Sequence, residues 1–241
     1  GMALYNYTDG YGTYLIPAVL MVVIFQTLVM VISMLSGKER EESVSRMSLH
    51  GREETTAFRF FTSLGGGDNN ENHRVDLSFS RMASIVLGKT SVYVLFYALF
   101  SVFLLGLLPL LFQLPHLAHP ILIIQLMIPY IIATSFFALA CSVFFSDSDA
   151  PLLMIAFFSV GLIFLSGVSY PLELMPWYWQ WTHYLIPAAP GTLAFVKINS
   201  MGADMSGISQ QYIILWMQCM GYFILACLAY RYNMKKALTI T

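Results

Sequence analysis

The sequence predicts an all-α membrane protein that crosses the bilayer five times, and three observations carry that prediction. Of its 241 residues 58% are hydrophobic and only 10% charged, against about 45–50% and about 25% in ordinary soluble domains. Five runs contain no Asp, Glu, Lys, Arg or His: residues 14–36, 90–112, 120–146, 151–170 and 211–230. A helix rises about 1.5 Å per residue, so roughly twenty such residues cover a hydrocarbon core about 30 Å thick. The runs are continuously apolar and lack the alternation of a membrane barrel, as expected of helices that satisfy their own backbones in lipid. The chain therefore reads as one transmembrane domain, residues 1–241.

The basic residues orient the five spans. Lys38, Arg40, Arg46, Arg52, Arg59, Arg74, Arg81 and Lys89 lie between the first and second runs, and Arg231, Lys235 and Lys236 follow the fifth. Four crossings separate these two groups, so both fall on one side, the cytoplasmic side by the positive-inside rule. Lys197 alone is left outside. The C-terminus is then cytoplasmic and Gly1 starts outside. That parity leads us to expect a further span upstream of the first run. No signal peptide is visible, because residues 1–12 have no basic stretch ahead of an apolar one.

After the first span, residues 37–89 form a cytoplasmic segment. It opens with five consecutive charges, Lys38, Glu39, Arg40, Glu41 and Glu42, and mixed signs favour helical pairing. Val44, Met47, Phe58, Phe61 and Leu64 suggest amphipathic turns lying along the membrane or under a partner. "GGGDNNENH", residues 65–73, breaks any helix and reads as a polar loop. A solvated linker and a docking surface are both compatible with this composition. The second span is entered through Gly88-Lys89-Thr90, which has the ending of a phosphate loop. Ala83 stands where the first glycine belongs, and Ile85, Val86 and Leu87 are too bulky for a backbone cradle. We expect no nucleotide there, and no cofactor on this chain.

The spans also exclude several chemistries. Ion-coupled transporters need ionisable groups at membrane depth, and these five runs hold none; Gln26, Thr27, Gln125, Thr134 and Gln218 read as contacts between helices. No GxSxG or HExxH occurs, so an intramembrane hydrolase lacks its parts. Cys141, Cys219 and Cys227 sit in apolar runs without CxxC spacing, and His116 and His119 in the short outer loop are too few for a metal. No catalytic residue, metal site or nucleic-acid interface is predicted.

Residues 171–210, between the fourth and fifth spans, stay outside. Pro171, Pro176, Pro187 and Pro190 forbid one continuous helix, and Trp177, Trp179 and Trp181 suit the headgroup layer. An anchor in the membrane interface is one reading. The other is a re-entrant helical hairpin forming an outer gate, built from Pro171, Glu173, Pro176, Trp177, Trp179, Pro187, Pro190 and Gly191, with Glu173 the rare acid there.

Four stretches resemble the membrane subunits of type 2 ABC exporters. "YGTYLIPAVLMVVIFQTLVMVISMLSGKERE" is similar to that family's second span with its charged end, and "VLGKTSVYVLFY" to the entry of its third. "LSGVSYPLELMPWYWQWTHYLIPAAPG" resembles its fifth-span exit, and "FVKINSMGA" a segment before the sixth span in a bacterial drug-export subgroup. The resemblance implies a missing first span and extracytoplasmic domain. It implies pairing with a second permease copy or paralogue in the bacterial inner membrane, and docking of a separate cytoplasmic ABC ATPase that holds ATP and magnesium. It also leaves room for a periplasmic adaptor. By position, Lys38–Glu42 would form the coupling surface, with Asp147 and Asp149 of "SDSDAP" as the second contact. The polar loop at 65–73 departs from the family pattern. A non-transporting membrane anchor that recruits a cytoplasmic partner is the alternative.

Overall fold

The computed structural model describes residues 12–49, 79–107, 119–144 and 150–240, and every regular element among them is helical. In chain order these are α1 (Gly12–Leu49), α2 (Phe79–Val102, extended by a π-turn at Phe103–Leu107), α3 (Pro120–Cys141), α4 (Ala150–Leu165), α5 (Trp177–Leu185), α6 (Ala188–Met201) and α7 (Ser209–Ile240). Among the described residues four segments are long and apolar enough to cross a membrane: Leu15–Glu39, Met82–Gly106, Pro120–Cys141 and Met205–Tyr232. The fourth predicted span is shorter than expected. α4 has 16 residues, about 24 Å at the helical rise, because the backbone leaves the helix at Ser166 and turns.

Helix α1 does not stop at its apolar run. It continues through Lys38–Glu42 as one 38-residue helix, about 57 Å long. The charged stretch is therefore an unbroken extension of the first span and not a turn. Lys, Glu and Arg are good helix formers, so the onset of charge does not end the helix. One face of α1 is buried, with Ala18, Met21, Phe25, Leu28 and Ile32 each 4% exposed or less, the spacing of a helix seated in a bundle.

α3 lies at the centre, packed most extensively on α7 and also on α1 and α2. Pro120 opens it, where a missing N–H costs nothing. Pro129 sits in its middle, and the Cys219 thiol of α7 donates to the Pro129 carbonyl at 3.3 Å. That contact ties α3 to α7 at the level of the proline. The outward faces of α2, α4 and α7 carry large exposed apolar side chains, among them Phe96, Phe157 and Met217. That is the expected surface for lipid or for another membrane chain.

Candidate functional site

Two constellations stand out, at different levels of the bundle. The first is a charged joint. The Lys89 ammonium of α2 is paired with the Glu39 carboxylate at the end of the α1 span. It also lies 5.4 Å from the ring centroid of Tyr230 on α7. Lys89 is 10% exposed and Glu39 46%, so the cation is buried and the anion half-solvated. Three helices that are distant in sequence are thus tied together where α1 emerges with its charges. Lys38 is exposed beside them; Arg40 lies on the same helix, as do Glu41 and Glu42. Asp147 and Asp149 lie outside the described residues.

Sequence reading missed this joint. Gly88-Lys89 was notable only as a false phosphate loop, and the structure places it mid-helix in α2, where no backbone cradle can form. A lysine just inside an apolar run was the available signal, since a buried ammonium needs an anion or an aromatic face.

The second constellation is built from α5 and α6. Nine-residue α5 and 14-residue α6 are about 14 and 21 Å long, too short to span a bilayer. They meet at Ile186-Pro187, and proline at that junction helps prevent one continuous helix. α6 packs closely on α1 and also on α3 and α7. Ala188, Ala189, Gly191 and Ala194 form its small, buried side, which permits near backbone contact. Gly191 makes the closest approach: a Cβ there would lie 2.2 Å from the Tyr130 ring of α3.

The end of α5 is fastened by side chains from its neighbours. Gln218 of α7 donates to the Tyr184 carbonyl at 2.7 Å, and the Tyr222 hydroxyl donates to the Leu185 carbonyl. These are carbonyls that a helix C-terminus leaves without intrahelical partners. Gln218 lies near the middle of the span Met205–Tyr232, so the junction of the two short helices sits at mid-depth of the bundle. His183 is fully buried, and its Nδ1 lies 2.8 Å from the Leu165 carbonyl at the end of α4. That contact fixes the proton on Nδ1, leaving Nε2 buried without a hydrogen-bond partner. Burial holds His183 below the ordinary imidazole pKa; the hydrogen bond to Leu165 opposes this, and the charge of Lys197 adds to it.

The predicted gate residues therefore divide. Pro187, Pro190 and Gly191 are buried within the bundle, whereas Pro171, Glu173, Pro176, Trp177 and Trp179 are exposed. Gln180 holds the exposed part in shape, donating to the Leu172 and Met175 carbonyls. Of the polar residues expected to join helices, Gln218 does so, and Thr27 bonds within its own helix, to Val23 and Ile24, as well as to the Tyr97 side chain of α2. Among the described residues no group of His, Cys, Asp or Glu could hold a metal ion.

The family model of the ABC-2 family transporter proteins matches residues 70–228, about two thirds of the chain. The chain belongs to the ABC-2 transporter family. It is thus a multi-pass membrane domain of an ABC transporter, the transport component and not the catalytic one. An ABC-2 permease works in general with a cytoplasmic ABC ATPase. The matched region runs from α2 to Leu228 and contains the whole α5–α6 hairpin; the charged stretch of α1 and Tyr230 fall outside it. A search of curated proteins returned no match.

Proposed function

We propose that this chain is the permease subunit of an ATP-driven exporter, moving substrate outward across the cytoplasmic membrane of a bacterium. The energy comes from ATP and magnesium held by a separate ATPase chain, and the path forms against a second permease copy or paralogue. The observation that carries the reading is the continuity of α1. One helix runs from the buried core, through the charged joint, to Leu49, and so offers a rigid handle to a motor outside the membrane. Lys38–Glu42 would be the motor's contact, with Asp147 and Asp149 as the second contact.

In this reading the Glu39–Lys89–Tyr230 end is cytoplasmic, α4 is a short fourth crossing, and α5–α6 re-enters from the outside. Non-helical backbone at that depth is tolerated because α1, α3 and α7 surround it. The exposed Trp177, Trp179 and Trp181 would sit at the outer headgroups, with Glu173 at the rim and the buried Pro187–Gly191 segment as the gate.

The test is purification from native membranes followed by reconstitution. A stoichiometric ATPase should co-purify, and Glu39→Lys or Glu41→Lys should reduce transport per ATP hydrolysed. Stable partner binding with no nucleotide dependence would instead favour a membrane anchor, and unchanged transport in both variants would remove the assigned docking surface.

A further inference from the structure

Tyr130 is fully buried midway along α3, and it touches two elements that are far apart in sequence, α1 and α6. Its hydroxyl donates to the Met21 carbonyl of α1 at 2.8 Å. Its ring fills the space beside Gly191, where an added Cβ would lie 2.2 and 2.3 Å from two ring carbons. A buried hydroxyl is stabilised by an acceptor, and for Tyr130 the Met21 carbonyl supplies one. The Met21 carbonyl already serves the α1 ladder, so its second lone pair takes the phenol. Phenylalanine would pack the same ring against Gly191 without needing any partner. What the hydroxyl adds is the tie to α1.

α6 also packs on α1 directly; we infer that Tyr130 adds the hydrogen-bonded joint that passes a shift of α1 to the α5–α6 hairpin. The proposal rests on the reading of the chain as an ATP-driven permease. From Met21 to Glu39, α1 runs unbroken for about 27 Å, so a displacement at the charged end reaches the Tyr130 hydroxyl as a rigid-body shift. The ring passes that shift to α6 because nothing separates it from the Gly191 backbone. The junction of the hairpin is meanwhile held by α7, through Gln218 and Tyr222. Motion of α1 against α7 therefore shears the hairpin between two sets of attachments. Tyr130 is a positioning residue, acting on the path through α6 and not on cargo.

A claim of coupling needs a measured coupling and not adjacency alone. The complex with its co-purified ATPase is placed in right-side-out vesicles, with Cys141, Cys219 and Cys227 replaced by alanine and Glu173→Cys as reporter. Labelling by a membrane-impermeant maleimide is timed in the nucleotide-free and vanadate-trapped states, with ATP hydrolysis measured in parallel. In the parent the labelling rate should change at least fivefold between states. Tyr130→Phe should reduce that change below twofold while ATP hydrolysis stays within twofold of the parent. Gly191→Ala should do the same by displacing the ring. Thr134→Val, another buried α3 hydroxyl that has no partner, should leave the ratio intact and so separates coupling from loosened packing.

Full nucleotide-dependent labelling in Tyr130→Phe overturns the joint. So does a parent that hydrolyses ATP and transports without any change in labelling, although the exporter reading then stands. A chain that recruits no ATPase sinks both.

Discussion

The burial asymmetry of the Glu39–Lys89 pair makes a prediction that runs against treating an ion pair as one interaction. Glu39→Gln leaves a lysine that is 10% exposed without this carboxylate. Breaking a fully buried pair in that way costs about 3–5 kcal/mol. Glu39 itself is 46% exposed, so solvent already screens the pair and the cost falls to about 2 kcal/mol. Tyr230 remains over the ammonium and limits the loss further. Lys89→Met keeps the packed stem, removes the cation, and leaves a half-solvated carboxylate that water can serve; about 0.5–1 kcal/mol is expected. In the Lys89→Met background Glu39→Gln should then cost less than it does in the parent. At about 2–4 °C per kcal/mol for a chain of this size, Glu39→Gln should lower the apparent Tm by about 4–8 °C and Lys89→Met by less than half as much. The assay is thermal unfolding in detergent followed by a thiol-reactive dye, since Cys219 and Cys227 are buried and react on opening. Equal shifts, or a costlier Lys89→Met, would refute the argument from burial.

Three further outcomes follow from the hairpin. His183 is favoured in its neutral form by the folded state, so its contribution is intact above the ordinary imidazole value of about 6.5. It is lost as pH falls below that, through the depressed folded pKa; His183→Gln should flatten the Tm-against-pH curve over that window. Gly167 has φ +79° and a Cβ there would meet Leu172 at 2.9 Å, so Gly167→Ala should destabilise by at least about 1–2 kcal/mol, read as a lower apparent Tm. Gln218→Ala and Tyr222→Phe each free one carbonyl at the end of α5 and should cost about 1 kcal/mol apiece. Protease accessibility near Leu185 should rise most in the double variant.

Much of the membrane character was legible because it is local. Leu15–Glu39, Pro120–Cys141 and Met205–Tyr232 follow from unbroken apolar runs, and a run's length needs no knowledge of its neighbours. The helix in the fourth run is shorter than the run because Ser166–Tyr170 carries no charge to mark an end, yet Gly167 turns the chain at positive φ. The mixed charges at Lys38–Glu42 read as helical, but that they continue the first span without a break was not legible from composition. The proline-tryptophan segment gave its broken helices and its surface indoles, but not which half would be buried.

By itself, then, the sequence determined how much of the chain belongs in a membrane, where helices must break, and that the five apolar runs hold no Asp, Glu, Lys, Arg or His. Those properties depend on each residue's own transfer energy and backbone freedom. Only the tertiary structure decided that Lys89 meets Glu39 and Tyr230, that Gln218 and Tyr222 hold the end of α5, and that the Tyr130 ring rests on Gly191. These pairs are separated by tens of residues, and each exists because a buried polar or bulky group had to be matched by whichever helix packed against it.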